Sequence, residues 1–218
     1  MIELKNVSKT YKVYKNEIKA LQGISLTIQN NDMVAILGAS GSGKSTLLNI
    51  LGGLDRPTDG NYYFDGTNVS NYNMAQLHQF RKKHVGFVFQ NFALINRYTV
   101  YENIEVPLLA RNQKNYKKKI MECIEKLGIA EYVKTYPQYL SGGQQQRCAI
   151  GRALMTECDL LLCDEPTGAL DRKTGNEIID VLGKAKSEGK TIVIVTHDLR
   201  VAARCDRQVN LEDGMILT

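Results

Sequence analysis

Apolar positions in the first ninety residues come in short runs between turn-forming residues, a pattern that predicts strands. Ile2, Leu4 and Val7, then Ile24, Leu26 and Ile28, form two β-like runs at the N-terminus. Met33 to Leu37 (MVAIL) is fully apolar, as in a strand buried on both faces. Residues 61–66 (NYYFDG) read as a strand ending in an Asp-Gly turn, and Val85 to Phe89 as another buried strand. From about 91 to 153 the spacing becomes helical. Val100 to Ala110 and Tyr116 to Leu127 carry it, with Ile120, Cys123, Ile124 and Leu127 on one face. Strand pattern resumes at Asp159 to Cys163 (DLLLC). A helix near 174–187 follows, with Ile178, Ile179, Val181, Leu182 and Ala185 on one side. Then come the strand Thr191 to Val195, a short helix near 199–204 and a hairpin around Asp213-Gly214. The expected architecture is a single α/β domain over residues 1–218, with a small antiparallel N-terminal sheet. Residues 1–90 and 154–218 form its core, and 91–153 form a helical insertion.

The 218 residues are enough to bury one large core. With 43% apolar and 23% charged residues, the composition is that of a soluble protein. No stretch approaches the roughly 18 consecutive apolar residues of a membrane span. The N-terminus, MIELKNVSKTY, lacks the basic-then-apolar layout of a secretory signal. A cytosolic protein is expected, which another chain would have to hold at any membrane. The cysteines (Cys123, Cys148, Cys158, Cys163, Cys205) are odd in number and have no CxxC spacing, which favours buried thiols over disulfides or zinc. The net charge is +5, there is no Trp, and the basic runs are Arg81-Lys82-Lys83 and Lys117-Lys118-Lys119. Solvated helix faces or turns account for these better than a nucleic-acid groove, so no nucleic-acid partner is expected.

Three segments change the picture from fold to chemistry. Gly38, Ala39, Ser40, Gly41, Ser42, Gly43, Lys44, Ser45 and Thr46 match G-x-x-x-x-G-K-[ST]. The glycines let backbone N–H groups turn toward a β-phosphate, and the following helix points its positive end at the anion. Lys44 can reach the β- and γ-phosphates, and Ser45 can ligate Mg²⁺. A glycine turn before a helix can arise by chance, but here it follows the strand MVAIL, the context a phosphate loop requires. One such loop means one Mg-ATP-hydrolysing unit.

In LLLCDEP (160–166) an apolar strand delivers Asp164 to its C-terminal end, where ligands collect in parallel sheets. Asp164 suits Mg²⁺ held through water, and Glu165 suits a general base for the attacking water. Acidic turns after strands are common, and this one gains weight from the phosphate loop upstream. LSGGQ (140–144) again offers a hydroxyl and glycine N–H groups at a helix start, from Ser141, Gly142, Gly143 and Gln144. Ser is also an ordinary helix cap, a reading that would suffice for the string in isolation.

GASGSGKST, Gln90 after VGFVF, LSGGQQQR, LLLCDEP, GALD (168–171) and His197 after TIVIVT occur in that order. The chain resembles, over essentially its full length, the nucleotide-binding subunits of ATP-binding-cassette (ABC) transporters. LNILGGLDRPT (48–58), GFVFQNFALI (86–95) and DEPTGALD (164–171) look most like the macrolide-export and lipoprotein-release branch, which includes antimicrobial-peptide exporters.

The resemblance implies a phosphate-loop NTPase core and roles for matching residues. Tyr11 would stack on adenine, with Tyr14 as the rival. Gln90 would sense Mg²⁺ and the γ-phosphate and link them to a permease. His197 would contact the γ-phosphate, and Asp171 would lie at a dimer seam. It also implies a head-to-tail homodimer with each ATP between Lys44 of one subunit and Ser141 to Gly143 of the other. A membrane permease partner would place the protein peripherally on the cytoplasmic face. An ATPase that signals across the membrane or activates a cell-wall enzyme would carry the same core. A DNA-repair cassette would need a long coiled coil where only about fifty residues separate Gln90 from Ser141.

Some positions depart from the family pattern. The turn Asn30-Asn31-Asp32 replaces an acid-glycine-acid turn, which Asn tolerates. Gly151 replaces a usual Ala and is expected to loosen its helix by roughly 1 kcal/mol. Cys163 is expected to pack as a small apolar side chain.

Overall fold

The N-terminal runs pair as an antiparallel sheet. The computed structural model describes residues 1–14 and 16–217. In it β1 (Ile2–Val13) lies between β2 (Asn16–Ile28) and β4 (Asp59–Phe64), and β5 (Thr67–Asn68) pairs with the outer edge of β4. Asp65 and Gly66, at φ 46° and 76°, make the two-residue turn from β4 to β5 that the Asp-Gly pair predicts. Asp213 and Gly214, again at 46° and 76°, do the same between β9 (Arg207–Glu212) and β10 (Met215–Leu217). Asn31 takes φ 64°, the left-handed geometry its turn requires.

The apolar runs form a second sheet in the order β10-β9-β3-β8-β7-β6, where β3 is Met33–Leu37, β6 Val85–Val88, β7 Leu160–Asp164 and β8 Thr191–Thr196. Strands β3, β6, β7, β8 and β9 are mutually parallel where they pair, and β10 is antiparallel. Register places Leu37 opposite Thr196 and Asp164 opposite Val195. The C-terminal ends of β3, β8 and β7 therefore lie side by side.

Side-chain parity splits the core between the two faces of this sheet. Val34, Ile36, Leu160, Leu162, Val193 and Val195 pack with the antiparallel sheet and with α1 (Lys44–Leu51), which buries Leu47, Leu48, Ile50 and Leu51. Leu161, Cys163, Ile192 and Ile194 pack on the other side with α3 (Val100–Ala110), α4 (Lys117–Lys126), α5 (Gly142–Leu154) and α6 (Arg172–Ser187). The apolar side chains of residues 91–153 thus join the cluster that α6 and the sheet already form. Full burial of each aliphatic side chain contributes about 1.5–3 kcal/mol.

Two features were not legible in the pattern. The helix α2 (Met74–His84) buries little more than Leu77 and Phe80, too few for a periodic signal. Its start is held by a capping box in which Asn73 and Gln76 each bond the other's backbone. Gly151 corrects the expectation of a merely loosened helix. A Cβ there would lie 2.8 Å from Leu127 Cδ1 and 2.9 Å from Ile104 Cδ1, so the missing methyl lets α3 and the end of α4 approach α5. Cys123, Cys148, Cys158 and Cys163 are buried, Cys205 is half-buried, and all are free thiols. Among the described residues no helix is long and apolar enough to cross a membrane.

Candidate functional site

The side-by-side strand ends make the floor of a cavity of about 770 Å³. The loop after β3 lines it with Ser40, Gly41, Gly43, Lys44, Ser45 and Thr46. Asp164 and Glu165 enter from β7, His197 from the end of β8, and Gln90 from beyond β6. Ten of the sequence-predicted residues thus meet although 157 positions separate Ser40 from His197.

The glycine loop is shaped by what lies behind it. A Cβ on Gly38 would sit 2.2 Å from Leu211 O, and one on Gly43 would sit 2.4 Å from Ala20 O. Gly43 also has φ 99°, which favours glycine. The Gly214 N–H donates to Ser42 O at 3.0 Å, so the last hairpin braces the loop from below. Ser42 is buried there, and Ala39 carries a carbonyl that accepts from Lys44 Nζ at 2.7 Å. Lys44 Nζ also donates to Gly38 O at 2.9 Å.

Asp164 faces the hydroxyl of Ser45 and the charge of Lys44. Its carboxyl nevertheless lies above the ordinary range, because burial and then the Glu165 charge both disfavour ionisation. Two adjoining carboxylates, a serine hydroxyl and the Gln90 amide are hard oxygen donors of the kind Mg²⁺ takes, and a cation there would relieve the strain on Asp164.

Glu165 adopts φ 46° just past the strand end. Its Oε1 accepts from the His197 backbone N–H at 3.1 Å and lies 2.7 Å from His197 Nδ1, while Oε2 accepts from the Thr196 hydroxyl at 3.1 Å. Gly168 gives this corner its room: a Cβ there would lie 3.0 Å from Gln90 Nε2 and 3.4 Å from Glu165 Cβ. Thr196 and Gly168 belong to the strings TIVIVT and GALD, but nothing in the sequence gave either a role beside Glu165. Nor did anything in it mark Ile18, Lys19 and Ala20, which form the cavity wall from β2.

Tyr11 stands behind that wall, paired across the sheet with Ile18. Its hydroxyl donates to Asp55 Oδ2 at 2.8 Å, and the Thr46 hydroxyl faces it. Burial and then Asp55 push its phenol above the ordinary range. The rival Tyr14 is fully exposed in the turn beyond.

Ser141 to Gln144 lie elsewhere. Ser141 caps α5 in a capping box with Gln144, its Oγ accepting from Gln144 N at 3.4 Å and its own N–H donating to Gln144 Oε1 at 2.8 Å. Gly142 packs on Leu170, and a Cβ on Gly143 would lie 2.3 Å from Thr174 Cγ2. The turn therefore rests on the start of α6, which Asp171 caps through Lys173 N, Thr174 N and the Thr174 hydroxyl. Neither Ser141 to Gln144 nor Asp171 lines the cavity. Helix α5 still reaches it indirectly. Arg152 donates to Ala93 O at 2.6 Å and Phe92 O at 3.1 Å in the loop after Gln90, and Gln146 donates to Pro166 O at 2.7 Å beside Glu165.

Comparison with known proteins agrees with this geometry. The family model for ABC transporters matches residues 21–168. The macrolide export ATP-binding/permease protein MacB of Bartonella henselae is 42% identical over all of this chain, and the chain spans 33% of that relative's length. The ABC transporter ATP-binding protein YvrO of Bacillus subtilis is 43% identical, with 100% of this chain and 96% of YvrO aligned. A dimeric structure of MJ0796, described as a bacterial ABC transporter cassette, superposes with a TM-score of 0.92 at 44% identity, covering 100% of this chain and 97% of that one. A second MJ0796 dimer, described as a post-hydrolysis state bound to ADP and Pi, also gives 0.92, at 42% identity and the full length of this chain. The chain belongs to the ABC transporter family, as an ATP-binding cassette with that family's ATPase fold and activity.

Proposed function

We propose that the chain drives a membrane permease of the macrolide-export and lipoprotein-release branch, working as a head-to-tail homodimer on Mg-ATP. One observation carries the dimer. The cavity holds Lys44, Ser45, Asp164, Glu165 and His197, whereas the second phosphate-binding turn, Ser141 to Gly143, lies outside it. A second copy turned end to end brings that turn to the γ-phosphate side of the first copy's cavity. Asp171, beside the turn, then lies at the seam. The dimeric MJ0796 structures support this arrangement at 44% and 42% identity.

In this reading the glycine-loop N–H groups and Lys44 bind the β- and γ-phosphates, and Tyr11 stacks on adenine. Ser45, Gln90 and Asp164 would hold Mg²⁺, which would neutralise charge on the phosphate oxygens. Glu165 takes a proton from the attacking water, and its three hydrogen bonds keep the carboxylate aimed. His197, with its ring largely exposed to the cavity side, contacts the γ-phosphate. Loss of that phosphate releases the partner copy, a switch of the kind γ-phosphates commonly operate. Arg152 and Gln146 tie this event to α5.

The macrolide export named for the MacB relatives supports a macrolide-like drug as cargo, and the branch that the sequence resembles adds antimicrobial peptides and lipoproteins as the other cargo classes. The permease would hold the protein on the cytoplasmic face of the membrane. The test is purification of the Glu165→Gln chain with Mg-ATP from detergent-solubilised membranes of its host. Recovery with a permease of few spans and a large external domain is the expected result. A many-span partner moves the chain to another transporter branch, and recovery with no membrane protein overturns the permease reading.

A further inference from the structure

A charged cluster stands one step behind the cavity, unused by the phosphate chemistry. The loop after α1 brings Asp55 against β1. Lys9 Nζ donates to Asp55 Oδ1 at 2.6 Å and to Arg56 O at 2.8 Å. The Arg56 backbone N–H adds a bond to Asp55 Oδ1 at 2.7 Å, and the Tyr11 hydroxyl donates to Asp55 Oδ2 at 2.8 Å. The Lys9 ammonium also lies 4.9 Å from the centroid of the Tyr11 ring. Lys9 is only 12% exposed and Asp55 30%, so this is a built corner and not a solvated surface pair.

The chemistry of the corner is directional. A tyrosine held only at Cβ turns about two side-chain bonds, and a bond at its far end removes that freedom. A cation near the ring is drawn to its π-face, which leaves the opposite face as the one a flat partner would take. Burial pushes the Asp55 carboxyl up, but bonds from Lys9, Tyr11 and the Arg56 amide outweigh it and hold the group below the ordinary range. Asp55 therefore stays ionised at neutral pH.

We propose that Asp55, braced by Lys9, is a positioning residue that sets the Tyr11 ring for the nucleotide base, with Lys9 backing one ring face and the base stacking on the other. The inference rests on Tyr11 being the adenine platform. It assigns a base-specific role to Asp55 and Lys9, which touch neither phosphate nor the reacting atoms.

The experiment compares ADP with inorganic pyrophosphate by equilibrium titration, since pyrophosphate has no base and neither is hydrolysed. Asp55→Ala and Tyr11→Phe are expected to weaken ADP about 3- to 10-fold, the scale of one lost aromatic contact, and to leave pyrophosphate unchanged. Tyr11→Ala should do at least as much. Tyr11→Phe removes only the hydroxyl anchor, so the test survives if Asp55→Ala fails to fold. If Tyr11→Ala weakens ADP while Asp55→Ala and Tyr11→Phe do not, the positioning role is overturned and the platform stands. If Tyr11→Ala leaves ADP unchanged, the platform itself falls. Equal weakening of ADP and pyrophosphate by Asp55→Ala also overturns the proposal, because the effect would then lie in the glycine loop.

Discussion

His197 holds Glu165 twice, through its backbone N–H at 3.1 Å and its ring Nδ1 at 2.7 Å, both to the same carboxylate oxygen. The pair joins the end of β7 to the end of β8. Glu165 is 13% exposed and His197 72%, so the carboxylate is set in the wall and the imidazole stands in the opening. A carboxylate fixed this way would need little reorganisation to take a proton, the role proposed for it, and the exposed imidazole is open to a ligand in the cavity.

Glu165→Gln keeps the shape of the side chain and removes its basicity. Hydrolysis should fall by about 10²- to 10⁴-fold. ATP binding should persist, and gel filtration with ATP should show a stable dimer. Full turnover by this variant would remove Glu165 as the base.

Lys44 makes two charge-assisted contacts within the glycine loop, to Gly38 O and Ala39 O. Lys44→Ala should weaken ATP by about 10- to 100-fold, the scale of a charge-assisted hydrogen bond. Calorimetric titration measures it, and unchanged affinity would count against the glycine loop as the phosphate site.

Gly151→Ala sets helix propensity against packing. Propensity favours Ala by about 1 kcal/mol. The added methyl meets Leu127 and Ile104 within 3 Å, and overpacking costs about 1–3 kcal/mol. Urea denaturation should show no gain or a net loss; a gain near 1 kcal/mol would mean that the two side chains simply turn aside.

Asn103 is fully buried in α3 and ties down the loop before it. Its Oδ1 accepts from Ile95 N, and its Nδ2 donates to Ile95 O, Tyr98 O and Thr99 O. Asn103→Ala takes this partner from Ile95 N and Tyr98 O, whereas Ile95 O and Thr99 O keep backbone bonds from Tyr98 N and Asn103 N, and it should cost about 1–3 kcal/mol. Limited proteolysis should find new cleavage at residues 95–99, and an unchanged digest would argue that the loop is held by other contacts.

Asp198 caps α7 (Leu199–Ala202), and Arg200 beside it holds its carboxyl down at about 2. A folded pKa below the unfolded one gives stability that is present above the ordinary carboxylate range and lost as pH falls toward about 2. Asp198→Ala should therefore lower the denaturation midpoint at pH 6 and lose that difference as the solution is acidified. A difference independent of pH would point to the cap's shape and not its charge.

Whatever depends on neighbours along the chain was readable from the order of residues. MVAIL before GASGSGKST and LLLC before DEP were legible because an apolar run, a glycine turn and a strand-end acid are each local. The same holds for the Asp-Gly turns, whose left-handed φ only a few residues adopt without strain. Tertiary structure alone decided which strand ends stand together. The order β3-β8-β7 brings Thr196 and His197 to Glu165, and no local pattern encodes strand order. Helix α2 stayed hidden because two buried side chains make no period, and Gly151 misled because its cost in α5 is local while its use lies in contacts with Leu127 and Ile104. Asp55 was silent for the same reason: a surface-type residue in a loop becomes a brace only when folding sets Lys9 and Tyr11 against it.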